Sequence, residues 1–357
     1  MKVEGVAFGA AKDGTPVSLY TVRNAAGMEL SVTDLGACIQ AIRVPVADGL
    51  LDVVLGYDDA TGYAHNDTHF GALMGRVVNR IGGAAFELGG KRYELDRNEG
   101  ENCNHSGNDP WRERAWSLVR AEQGEDGGAI ELHLMSPDGD QGFPGAVDMH
   151  VTYELTAAGE VRVTYDGTPD AATLVSLTNH SYFNLNGQAS GSAMGHVLTV
   201  AADSYTQTRD DLVPTGVVLP VEGTPLDLRG GKKLADVVSS TDHSIVNARG
   251  IDHNFVFAPA GEAEGGFVGA QRRVATLVGD KTGLELDVYT DLPGMQVYTA
   301  NYVEGVQGKG GVTYHDHDAV CLETNFFADA IHHPNFAQPV FGPDRPFRSR
   351  TTFAFRA

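Results

Sequence analysis

The chain has 357 residues, 42% hydrophobic and 20% charged, which is ample for a packed core and sets disorder aside as the expectation. Its 26 Lys and Arg against 47 Asp and Glu leave a formal net charge of −21. That argues against nucleic acid and anionic membrane surfaces, which reward clustered basic residues. Three scattered cysteines, Cys38, Cys103 and Cys321, make neither a disulfide framework nor a zinc knuckle. The start, Met1-Lys2-Val3-Glu4-Gly5, lacks the apolar run of a signal peptide, and no window approaches the ~18 apolar residues of a membrane span. The expectation is a cytoplasmic protein.

In chain order, the first segment able to carry chemistry is Gly75-Arg76-Val77-Val78-Asn79-Arg80-Ile81-Gly82. Read as extended, it puts Arg76 and Arg80 on one face and Asn79 on the other with Val77 and Ile81. Arginine forks bind carboxylate, phosphate or sugar hydroxyls, and a surface strand laced with ion pairs fits the segment equally well. Leu88-Gly89-Gly90-Lys91 is a turn. The loop from Glu99 to Gly107, which holds Asn104, His105 and Ser106, either reaches into a cleft or is an Asx-rich turn. A short helix is predicted at Pro110 to Glu113.

Val147 to Leu155 then alternates apolar and polar residues without exception, and Val161, Val163 and Tyr165 continue the pattern. These are half-buried antiparallel strands, divided by turns at Asp138-Gly139-Asp140 and Ala157-Ala158-Gly159. The stretch from Val175 to Leu185 also begins as a strand. Its alternation groups Ser176, Thr178, His180, Tyr182 and Asn184 on one face. Hydroxyls, an imidazole, a phenol and an amide suit a polyhydroxylated ligand, although a hydrogen-bonded histidine inside a sandwich fits the same pattern.

Arg229 to Val238 is a helix candidate. In Gly250-Ile251-Asp252-His253-Asn254-Phe255, three polar side chains stand directly before an apolar strand, where strand ends commonly present ligand-binding groups. Leu284, Leu286 and Val288 mark a further strand. Glu323 sits in Ala319-Val320-Cys321-Leu322-Glu323-Thr324, where apolar neighbours on both faces predict a central, covered strand. A carboxylate there is costly unless paired or used, and burial raises its pKa toward the range of a general base. A Glu held by an Arg is the alternative. His315, His317, His332 and His333 lack a third ligand at zinc spacing, and Gly308-Lys309-Gly310-Gly311 lacks the spacing of a phosphate-binding loop. With no fixed-period repeat, the expected architecture is all-β: one large antiparallel β-sandwich domain spanning residues 1–357.

Taken in order, Gly75-Arg76-Val77-Val78-Asn79-Arg80-Ile81, Asn104-His105, Ser136-Pro137-Asp138-Gly139 and Gly142-Phe143-Pro144-Gly145 resemble the aldose 1-epimerase (galactose mutarotase) family. So do Asn179-His180-Ser181-Tyr182-Phe183-Asn184-Leu185, Gly250 to Phe255, Pro293-Gly294-Met295-Gln296-Val297-Tyr298, Glu323-Thr324 and Pro334-Asn335-Phe336. The resemblance spans nearly the whole chain. It implies that family's β-sandwich and interconversion of the α and β anomers of free aldoses such as glucose and galactose, without cofactor or metal. By resemblance His180 is the general acid and Glu323 the general base. Arg80, His105, Asp252 and Gln296 hold sugar hydroxyls or the ring oxygen, and Asn79, Ser181, Tyr182 and Phe183 line the site. The sequence departs from the family's usual pattern at Ser106, Asn325 and Ala328.

The implied partner is a small aldose, with neither nucleic acid nor membrane, and the implied state is a monomer or weak homodimer. A histidine titrating near neutrality and a glutamate made basic by burial suit proton transfer. Two alternatives stand beside this one. A non-catalytic sugar-binding module needs no acid–base pair. A glycosidase would pair Glu323 with a second carboxylate such as Asp252.

Overall fold

The computed structural model describes residues 1–65 and 67–356. Alternation decides which face of each strand is buried. In Val147–Leu155 the odd-numbered apolar side chains are buried and the polar ones between them are half-exposed, and Glu160–Pro169 beside it repeats the pattern. Each fully buried large apolar side chain contributes roughly 1.5–3 kcal/mol. These strands belong to a nine-stranded sheet, ordered Ser117–Gln123, Gly128–Ser136, Val147–Leu155, Glu160–Pro169, Phe347–Arg356, Glu285–Thr290, Arg272–Val278, Val197–Val200, Lys232–Lys233. Glycines in the left-handed region, Gly139 at φ 80° and Gly159 at φ 77°, sit in the turns expected there.

A six-stranded sheet packs against it, ordered Tyr182–Phe183, Val320–Asn325, Gly294–Tyr298, Asp252–Val256, Ser204–Thr208, Pro214–Pro220. A five-stranded sheet of residues 6–52 closes one flank. All paired strands in these sheets run antiparallel. The covered-strand expectation for Val320–Asn325 holds, since all six of its residues are buried. One face packs on the nine-stranded sheet: Val320 and Leu322 join the largest apolar cluster, and the Thr324 hydroxyl lies 2.5 Å from that of Thr351. The other face, with Cys321, Glu323 and Asn325, is left for chemistry.

Three expectations change. The stretch around His180 is two short ladders and not one strand: Thr178–His180 pairs with Ala72–Met74, the chain breaks at Ser181, and Tyr182–Phe183 joins the six-stranded sheet. Asn79 takes a left-handed conformation, φ 62°, which breaks the alternation read into residues 75–82. Asn79 and Arg80 therefore face the same cleft while Arg76 is fully buried elsewhere. Among the described residues helix is confined to short pieces. Leu234–Val238 is the end of the predicted 229–238 helix, and Trp111–Glu113 is a 3₁₀ turn. Ala60–Ala64 and His243–Asn247, capped by Asp59 and Asp242, were not foreseen. Among the described residues no helix is long and apolar enough to cross a membrane.

Candidate active site

Strand register builds the floor of a cleft. Across the six-stranded sheet Asp252 pairs with Tyr298, Tyr298 with Cys321 and Cys321 with Tyr182; one step along, Asn254, Gln296 and Glu323 stand in a row. Residues paired in a ladder share a face, so these side chains project to one side. His180 enters from its own short strand. Asn79, Arg80 and His105 enter from the pairing of Arg80–Ile81 with Cys103–Asn104 and the residues beside it. Together they line a cleft of about 630 Å³.

Of the ten residues named from sequence, eight line it: His180, Glu323, Asn79, Arg80, His105, Tyr182, Asp252 and Gln296. Ser181 and Phe183 do not. The Ser181 hydroxyl turns inward to donate to Asn179 Oδ1 at 2.6 Å, and Phe183 is buried against Phe353 and Phe355 of the opposing sheet. Alternation along the chain points these two away from the face that His180 and Tyr182 share. The three departures from the family pattern also lie outside the lining. The Ser106 hydroxyl binds the backbone N–H and carbonyl of Val77 at 2.7 and 2.9 Å, which pins the loop and leaves the rim untouched.

At the floor, His180 Nε2 lies 3.4 Å from Glu323 Oε2, with both side chains almost fully buried. Burial disfavours the charged form of each. It pushes His180 down to about 3, helped by the Arg112 guanidinium. It lifts Glu323 well above the usual carboxylate range; Asp252 adds to the rise and Arg80 opposes it. The expectation of a histidine titrating near neutrality is thus overturned by desolvation. His180 Nδ1 is buried without a hydrogen-bond partner. Nε2 is the ring nitrogen that faces Glu323 and can exchange a proton with it.

The surrounding groups are held in place. Gln296 donates to Asp252 Oδ1 at 2.6 Å, and Arg80 grips Glu99 through Nε at 2.5 Å and Nη2 at 3.0 Å. That fork leaves Arg80 Nη1 toward Asn79 Oδ1 at 3.4 Å and Asp252 Oδ2 at 3.7 Å. His105 Nδ1 accepts the Asn79 backbone N–H at 3.2 Å, which places its own hydrogen on Nε2. Burial, then His69 and His180, hold His105 well below the ordinary histidine range, so it is a neutral donor. His180, Cys321 and Glu323 bring ligand atoms within 4.8 Å of one another, but burial pushes the Cys321 thiol well up and away from the thiolate a metal takes.

Sequence reasoning missed His69, Tyr298, Tyr302, Asp211 and Asn247, all in the lining, while Glu99 lies in the loop read as able to reach a cleft. Tyr298 had a signal, being two residues from Gln296 on one strand and so on the same face. His69, at φ 65° in a loop, had none. Its ring centroid stands 4.9 Å from that of His105 and 5.4 Å from that of His180. An aromatic wall is formed by Tyr182, stacked on His180 at 5.1 Å, with Tyr298 edge-on to both.

These features define the class: a β-sandwich protein with a buried His–Glu pair on the floor of a polar cleft. The comparisons narrow that class. The family model described as aldose 1-epimerase matches residues 18–354. Human galactose mutarotase is 36% identical over 334 residues, covering 92% of this chain and 91% of its own. Aldose 1-epimerase of Escherichia coli (strain K12) is 32% identical over 351 residues, 97% of each chain. Among solved structures, galactose 1-epimerase from Lactobacillus acidophilus NCFM superimposes with a TM-score of 0.85 at 24% identity, covering 100% of this chain and 99% of that one. An aldose epimerase homologue from C. elegans gives 0.84 at 23% identity over 99% of both; these two likenesses bear on the fold. The chain belongs to the aldose 1-epimerase family.

Proposed function

We propose that this chain is an aldose 1-epimerase, an isomerase that interconverts the α and β anomers of free aldoses, with His180 and Glu323 as its acid–base pair. The observation that carries this reading is the 3.4 Å separation of His180 Nε2 and Glu323 Oε2 on the cleft floor. The anomeric hydroxyl and the ring oxygen are bonded to the same carbon. A base for one and an acid for the other must therefore stand side by side.

In the forward step Glu323 takes the proton of the anomeric hydroxyl, that O–H pair becomes the second C1–O bond, and the C1–O5 bond breaks. Its electrons go to O5, which takes a proton from His180. Rotation about C1–C2 turns the other face of the aldehyde to O5, and closure returns both protons. The pair starts as imidazolium and carboxylate and passes through neutral imidazole and carboxylic acid. These states hold the same number of protons, and burial of the empty cleft favours the second. Arg80 opposes the rise at Glu323 and so favours the carboxylate that begins the cycle. The His105 Nε2–H and Arg80 Nη1 suit oxygens that gain charge on opening, and Asp252 with Gln296 suits hydroxyls.

A neutral sugar is the partner in this reading, acted on by one domain of residues 1–357, as monomer or weak homodimer. Nucleic acid and membrane have no part in it. The three buried free cysteines accord with a reducing cytoplasm, and a free aldose as substrate accords with a role in hexose metabolism.

Polarimetry of freshly dissolved α-D-galactose tests the pair. Glu323→Gln and His180→Asn each lose about 10²–10⁴-fold in kcat while galactose still binds. Near-normal turnover in either variant removes that residue from its role. Hydrolysis of a nitrophenyl glycoside without anomer exchange would instead select the two-carboxylate alternative.

A further inference from the structure

The outer face of the nine-stranded sheet carries a second cluster of metal-ligating side chains, none of which lines the cleft. His133 in Gly128–Ser136 and His150 in Val147–Leu155 stand directly opposite each other in the antiparallel ladder. Asp148 lies two residues before His150 and so on the same face. Alternation buries Leu132, Met149 and Val151 and leaves these three half-exposed. Their convergence is therefore a product of strand register on a rigid sheet.

The distances fit a small cation. Asp148 Oδ1 is 2.7 Å from His133 Nε2 and 3.6 Å from His150 Nε2, and all three donor atoms lie within 4.8 Å of one another. Tetrahedral ligands at zinc bond lengths stand roughly 3.3–3.5 Å apart, a value these separations bracket.

A second observation concerns the other ring nitrogen. His150 Nδ1 is 3.0 Å from Glu131 Oε1, and Glu131 is gripped in turn by Arg120 Nε at 2.7 Å. A neutral ring that donates from Nδ1 turns its Nε2 lone pair toward the lone pairs of Asp148 Oδ1. Two acceptors facing each other repel, and a cation between them removes the conflict. A carboxylate behind the far nitrogen is also the arrangement that orients metal-bound histidines. Hydrogen bonding alone accounts for the His133–Asp148 contact, while the 3.6 Å between His150 Nε2 and Asp148 Oδ1 is too long for a hydrogen bond.

We propose that His133, Asp148 and His150 form a binding site for a divalent transition-metal ion of the zinc type, with Glu131 orienting His150 and water in the fourth position. Imidazole and carboxylate donors suit that class, and a net charge of −21 draws cations. The site clamps two adjacent strands. By linkage it stabilises the folded chain without entering the chemistry of the cleft.

The test is calorimetric titration of Zn²⁺ into the tag-free full-length protein beside the His133→Ala/His150→Ala double variant and Glu131→Leu. One equivalent binds the wild type and raises its Tm, while anomer exchange by the loaded protein is unchanged. The double variant folds, keeps its turnover and loses that equivalent, and Glu131→Leu binds about 10–100-fold more weakly. Undiminished binding by the double variant would overturn the assignment, as would a wild type that takes up Zn²⁺ only with loss of turnover, the sign of capture by His180, Cys321 and Glu323.

Discussion

His180 and Glu323 are set apart from ordinary histidine and glutamate by what surrounds them, and the pH dependence of the reaction follows. The active pair holds one exchangeable proton. A second proton must go to His180, whose pKa burial has lowered to about 3. The acid limb of kcat/KM in the free protein therefore falls well below the ~6.5 of an exposed histidine. On the alkaline side activity falls when the shared proton leaves, and because Glu323 is raised this happens well above the usual carboxylate range. The acid limb is predicted to lie well below pH ~6.5, and an acid-side half-drop near ~6.5 would contradict it. Both residues are legible in the sequence, Glu323 as a carboxylate in an apolar strand and His180 as an imidazole in a polar face. Their proton states are not, because desolvation depends on what the fold stacks above them.

Segments, more than single residues, explain where the sequence reading succeeded and where it failed. Strands with one buried face announce themselves by alternation, as Val147–Leu155 does. The stretch at residues 75–82 misleads, since periodicity assumes an unbroken extended chain and a left-handed Asn79 resets the faces. At residues 178–183, by contrast, the shared face of His180 and Tyr182 survives the break at Ser181. Several motifs that carried the family resemblance turn out to anchor the first of these stretches. The Arg76 guanidinium is buried among the carbonyls of Pro144 at 3.0 Å, Gly145 at 2.7 Å and Pro137 at 3.2 Å, with the Ser136 hydroxyl as a further partner. It ties residues 136–145 to the backbone that leads into Asn79 and Arg80. Arg76→Met removes every one of these bonds from buried acceptors and is expected to cost on the order of 3–5 kcal/mol of stability in urea unfolding. The folded fraction keeps its kcat, because Arg76 touches no part of the cleft. A large fall in kcat at unchanged stability would place Arg76 in the chemistry instead.

Over the whole molecule, charge bears on which sugars are accepted. The cleft lining includes Asp67, Glu99, Glu101, Asp210, Asp211 and Asp252 beside Glu323, against Arg80 and three histidines. The Lys232–Lys233 pair lies at the edge of the nine-stranded sheet and outside that lining. Free hexoses are therefore predicted to be turned over about tenfold or more faster, by kcat/KM, than their 6-phosphates, with the gap narrowing as salt rises. Equal rates at low salt would show that the acidic rim does not face the sugar. The all-β class was readable from composition and period. The pairing of sheets that brings residue 180 to residue 323 was not, because it depends on contacts remote in sequence. The central claim, anomer interconversion in this cleft, is tested most directly by polarimetry of fresh α-D-glucose and α-D-galactose with and without the wild-type protein. The account predicts an approach to the equilibrium rotation that quickens in proportion to protein concentration, reaching the same end point as the spontaneous reaction. Unchanged kinetics with both sugars, and with xylose and arabinose, would contradict it.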